Sequence, residues 1–210
     1  MILLPRLMDI GLDKLNTLLL EMATLSESAV TASIEAYSKG GKGEGVRESS
    51  ARLQSLHRQV SDLSMEVIAR FQPVASDLRF IKACFEISYG FYRFGRYALD
   101  IVEVLNILGD LSKCDHKAVV ETARNTQEMI RMSVDAFARR DVDLARRIRK
   151  MDDTVDESYR EHVRSVLAQK RDLRCALSAA LILRYLERIA DHATYIGESV
   201  DYIVTGIEPA

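Results

Sequence analysis

The tripeptide Asp77-Leu78-Arg79 returns as Asp172-Leu173-Arg174, 95 residues further on. At the same offset Arg93 meets Arg188, Ala98 meets Ala193, Ile101 meets Ile196, and Glu103 meets Glu198. Earlier in each half, SIEAY (Ser33 to Tyr37) matches SVDAF (Ser133 to Phe137). Residue type, order and spacing recur together, which marks an internal duplication. The chain must therefore fold as two copies of one unit.

The unit is helical. Leu15, Leu18, Met22, Leu25 and Ala29 step by three and four, the seam of a helix in a bundle, and Leu53, Leu56, Val60, Leu63 and Val67 repeat the pattern. The glycine-rich stretch Gly40 to Gly45 separates these two helices. Pro73 is the only proline between Pro5 and Pro209. It ends the second helix near Gln72, because the residue before a proline is pushed out of the right-handed α region. Asp77, or Ser76 before it, is placed to cap a third helix running to about Gly109. Gly109 to Lys117 then forms a linker, and three more helices follow: Val119 to Arg139, Asp141 to Gln169, and Asp172 to Val204, with Asp172 capping the last. The middle one of these carries Leu144, Ile148, Met151 and Val155. The expected fold is all-α: two tandem antiparallel three-helix bundles, residues 1–110 and 115–210.

Three prolines, ten glycines and no tryptophan suit such long helices. With 31 acidic and 29 basic side chains, no global charge draws the chain to nucleic acid or to an anionic membrane. The longest apolar run, Cys175 to Leu183, stops at Arg184 and is too short to span a bilayer, and Pro5 and Arg6 end the apolar start. A soluble chain is expected. Cys84, Cys114 and Cys175 are scattered and odd in number, which reads as reduced, mostly buried thiols.

A six-helix duplication with QPVASDLR (Gln72 to Arg79) entering the third helix resembles the PhoU family of phosphate-uptake regulators. DLARRIRKMDDTVDESY (Asp143 to Tyr159), YLERIADHATYIGESV (Tyr185 to Val200) and FARRD (Phe137 to Asp141) look like other signature stretches of that family, in its order. The resemblance implies a cytosolic, non-enzymatic regulator, often a homodimer. Its implied partners are a phosphate ABC transporter, through the ATPase subunit at the inner membrane face, and a sensor kinase. Asp77, Arg79, Asp172 and Arg174 are the motif residues it singles out.

Members of that family bind iron or zinc through Glu/Asp-x-x-x-Asp motifs, and the second half of this chain has two: Asp152 with Asp156, and Glu187 with Asp191. A spacing of four puts both carboxylates on one helix face. Relative to Ile148, Met151 and Val155, and to Leu186, Ala190 and Ala193, both pairs fall just outside the core seam. Four carboxylates gathered there repel one another unless protons or cations intervene, and an oxygen-rich set suits hard cations or oxidised iron. Read from the residues alone, they are ordinary solvated acids within reach of Arg149, Lys150 and Arg188. The first half lacks the motif. Glu187 and Asp191 shift onto Tyr92 and Arg96, and Asp152 and Asp156 onto Ser50 and Gln54.

Other features carry less. His192 reads as a surface or core-edge residue, and Cys114-Asp115-His116 as linker. The basic stretch Ala138 to Lys150 reads as a solvated helix face, with an acidic partner or a phosphate as the alternative. Tyr89, Phe91, Tyr92, Phe94 and Tyr97 crowd one helix and serve either a core between the bundles or a partner patch. A di-iron oxidase would want Glu-x-x-His projecting inward, and the sequence contains none. A helical adaptor for another transporter, such as a potassium or metal-phosphate system, shares the same fold and stays open. DNA binding through the basic helix ranks last.

Overall fold

A computed structural model describes residues 7–168 and 172–208. Pro5, Arg6, Gln169 and Pro209 lie outside the described residues. Six helices follow in order: α1 Leu7–Lys39, α2 Val46–Phe71, α3 Ala75–Leu108, α4 Lys117–Arg139, α5 Val142–Ala168 and α6 Leu173–Thr205. No strand occurs among the described residues.

Each seam read from the sequence faces a partner. Leu53, Leu56 and Val60 are fully buried in α2, as are Ile148 and Val155 in α5. The stripe on α1 is wider than its seam, because α1 packs on α2, α3 and α4. Leu19, Ala23 and Val30 are therefore buried beside Leu15, Met22 and Ala29. Small polar residues let α1 and α4 approach closely. Ser26 and Ser33 on α1, and Thr126 and Ser133 on α4, are fully buried, and each satisfies its hydroxyl on a carbonyl of its own helix.

The helix contacts repeat with the sequence. α1, α2 and α3 pack on one another, as do α4, α5 and α6, and the two sets meet through α3 on α6 and α1 on α4. The ion pair Arg47–Glu103 (3.4 Å) recurs as Arg149–Glu198 (3.7 Å), on residues that the offsets make equivalent. Between the halves, Arg131 Nε donates to Glu27 Oε1 at 2.9 Å and Gln127 donates to Thr31 at 3.2 Å. Exchanging the halves turns the first contact into the second. Tyr97 and its equivalent His192 stack directly, ring centroids 6.0 Å apart. A local two-fold axis thus runs through the α1/α4 and α3/α6 contacts, the geometry of an isologous dimer built into one chain. The crowded aromatics of α3 divide accordingly: Phe91, Phe94 and Tyr97 are buried, Tyr92 is half-buried and Tyr89 is exposed.

Pro73 is buried in the α2–α3 turn, behind Gln72, which leaves the right-handed helix at φ 48° and donates its N–H to Ile68. Asp172 caps α6, accepting the Cys175 N–H at 3.0 Å. Asp77 does not cap α3. That helix begins at Ala75 behind Val74, which leaves Asp77 inside the first turn, its N–H bonded to the Val74 carbonyl. A carboxylate there still complements the helix dipole. The arginines of the motif face the opposite half. Arg79 packs its guanidinium against Gly206 at the end of α6, and Arg174 adds its charge near Asp110, just past the end of α3. A cation suits a helix C-terminus, which gives the returning arginine a reason.

The cysteines depart from expectation. Cys114 and Cys175 form a disulfide, and Cys84 is the free, buried thiol. The pair is 61 residues apart in sequence, and only the fold-back of the linker onto the start of α6 brings them together. The basic stretch is engaged within the molecule. Arg146 and Arg149 pair with Asp201 and Glu198, and Arg140 stacks on Phe80 and Phe137.

Candidate metal centre

α5 and α6 pack side by side, and their four-residue spacings bring acids to the seam between them. Carboxylate oxygens of Asp152, Asp156 and Asp191 lie within 4.8 Å of one another. Glu187 is not in this group. It is paired with Arg184 three residues earlier, although its charge still reaches Asp152. The acids are half-buried rather than solvated: the side chains of Asp156, Asp191 and Glu187 keep 24%, 22% and 13% of their exposure.

Asp156 accepts from Arg160 at 2.8 Å, and Asp191 from Arg188 at 3.2 Å. Asp152 is different. Its Oδ1 is enclosed and has no hydrogen-bond partner. Burial, then the charges of Asp191, Asp156, Asp153 and Glu187, push its carboxyl up to about 6. Burial also raises Asp191, against the pull of Arg188. A carboxylate oxygen enclosed without a donor, facing two others, is chemically short of a cation. The donor set is all oxygen, which fits a hard divalent ion or oxidised iron better than zinc. Arg160 and Arg184 were the neutralising residues not singled out from the sequence, though their spacings of four and three from Asp156 and Glu187 are legible there.

The equivalent corner of the first half has the opposite character. Arg96 pairs with Asp100 at 2.7 Å, Tyr92 stacks on His57 with centroids 5.7 Å apart, and Ser50 is buried. His192, beside Asp191, points to the aromatic side. It packs against Tyr89, Tyr97 and Tyr195, and burial with Arg93 and Arg188 lowers its pKa to about 4.

Fold and site together define a class: a duplicated six-helix protein, its halves related by a local two-fold axis, with an acidic corner on the second half. The PhoU domain model matches residues 19–105 and again 119–200, and the chain belongs to that family. A PhoU homolog of Pseudomonas putida, described as a phosphate-specific transport system accessory protein, is 34% identical over 207 residues, covering 94% of this chain and 80% of that protein. A homolog so described from Clostridium acetobutylicum is 27% identical, covering 96% and 95%. The crystal structure of PhoU from Pseudomonas aeruginosa matches with a TM-score of 0.87 at 32% identity, over 95% of this chain and 99% of that one. A phosphate transport regulatory protein PhoU from Streptococcus pneumoniae shares the fold, with a TM-score of 0.77 at 18% identity.

Proposed function

We propose that this protein is a non-enzymatic regulator of phosphate uptake and of the signalling that responds to phosphate. The observation that carries the reading is the family match in both halves, together with full-length relatives named as accessory proteins of phosphate-specific transport. The partner this implies is the ATPase subunit of a phosphate ABC transporter, with a sensor kinase as a second contact and a homodimer as the assembling form. No helix among the described residues is long and apolar enough to cross a membrane. Asp152, Asp156 and Asp191, with Glu187 at the edge, would hold an iron or other hard divalent ion that bridges α5 to α6 and relieves their mutual repulsion.

Deletion of the gene tests the reading: phosphate accumulation should rise, or the starvation response should run without starvation. Purified protein should also retain the transporter's ATPase subunit on a pull-down. Unchanged uptake and signalling, with no retention, would refute it and move the assignment to an adaptor of another transporter.

A further inference from the structure

The Cys114–Cys175 bridge plays no part in the acidic corner or in the phosphate reading. It ties the linker between the halves to the first turn of α6, with the Cα atoms 5.3 Å apart. Both cysteines are half-buried at the margin of the molecule, and both line a cavity with Lys113, Asp115, His162 and Asp172. Cys84 is the internal contrast. It is buried in the core, where burial pushes its thiol up to about 12, and it stays an unreactive thiol.

The fold does not depend on the bridge for its core. α6 is held by α3, α4 and α5 over its length, and Val119, Ile182 and Ile189 are fully buried without it. What the bridge fixes is the linker. His116, two residues beyond Cys114, packs its ring edge-on against Tyr37 near the end of α1, at 4.6 Å between centroids. Tyr37 is buried there, and burial with the nearby Asp115 pushes its hydroxyl up to about 12. The covalent bond therefore holds the linker to the start of α6, and the His116–Tyr37 ring contact carries the linker on to the end of α1.

We propose that Cys114 and Cys175 are a reversible thiol–disulfide pair, a modification site that takes small-molecule thiols and disulfides as its reactants and clamps or frees the linker between the halves. In the closing direction the thiolate of one cysteine attacks a sulfur of a small disulfide. That forms a mixed disulfide and expels one small thiolate. The second cysteine, as thiolate, attacks the protein sulfur of that mixed disulfide and expels the other. The cysteines lose two protons and two electrons, and the small disulfide is reduced to two thiols. An excess of small thiol runs the same steps backwards.

The test uses the full chain, reduced and then freed of reductant, incubated with oxidised glutathione and alkylated in denaturant. Alkylatable thiols should fall from three to one, that one being Cys84, and peptide mapping should find Cys114 joined to Cys175. Reduced glutathione under native conditions should restore all three without loss of helical circular dichroism, and trypsin should then cut the linker at Lys113 or Lys117 faster than in the oxidised form. Cys114→Ser should leave Cys175 carrying a single glutathione. Three thiols after oxidation, a bridge that includes Cys84 or a second chain, or loss of helix on reduction would overturn the proposal.

Discussion

The acidic corner between α5 and α6 and its counterpart between α2 and α3 stand on one backbone plan and carry side chains of opposite character. Glu103 and Glu198 keep their arginine partners in both halves, and Ile101 and Ile196 keep their burial. Five residues before those isoleucines, Asp191 faces two aspartates while Arg96 is satisfied by Asp100. Duplication preserved the residues that hold helices together and released the residues at the seam. The scaffold is conserved by packing, whereas the site is a matter of a few side chains, so the two halves need not share a function.

The largest effect should show how far the halves share a core. Phe94 and its equivalent Ile189 are both fully buried. Phe94→Ala should cost about 4 kcal/mol and Ile189→Ala about 3 kcal/mol. Each variant should unfold in a single calorimetric transition with a lowered midpoint. Two separated transitions would break the picture of one continuous core.

Next in size is the cation response. At a hundredfold excess over its dissociation constant, a cation bound only by the folded chain stabilises it by about 2.7 kcal/mol. Asp156→Asn with Asp191→Asn should abolish that gain in thermal melting, and in the cation-free state should leave the chain as stable or slightly more so. The paired change Ser50→Asp with Arg96→Asp in the first half should not reduce it.

The two copies of the Asp-Leu-Arg motif differ in what their aspartates contribute. Asp172 caps a helix and Asp77 does not, so Asp172→Ala should cost about 1 kcal/mol and Asp77→Ala only a few tenths in urea unfolding. Equal losses would mean that the second motif gains nothing from its cap.

An effect of similar size follows from Asp152. Its folded pKa is raised above the unfolded value of 3.8 to about 6, so the folded chain binds more protons across that interval. Stability from this group is then fullest below pH 4 and is lost as pH rises to 6. After allowance for solvent screening the loss is about 1 kcal/mol. Asp152→Asn should flatten the cation-free stability curve between pH 4 and 6, and a curve unchanged by the substitution would show that the corner is not short of charge compensation.

Much of this was legible in the sequence because helices write a local signature. Steps of three and four, one proline and the paired motifs placed all six helices and the repeat. The rest depends on contacts that spacing does not encode. Cys114 and Cys175 meet only because the linker folds back on α6. Asp77 and Asp172 share a tripeptide, yet α3 starts three residues earlier relative to it, behind a left-handed Ala75. The two acid pairs look equivalent on a helical wheel, but Arg184 draws Glu187 aside while Asp152 is sealed in by its neighbours. Local charge pairing decided that difference.

The proposed cation site lies on one half only of the duplicated scaffold. Crystals of the full chain grown with manganese or iron, measured at the absorption edge of the metal, test it directly through the anomalous difference map. A peak bounded by Asp152, Asp156 and Asp191 is expected, and none beside Ser50, Gln54, Tyr92 and Arg96. A peak at the first-half corner, or a featureless map at both, would contradict it.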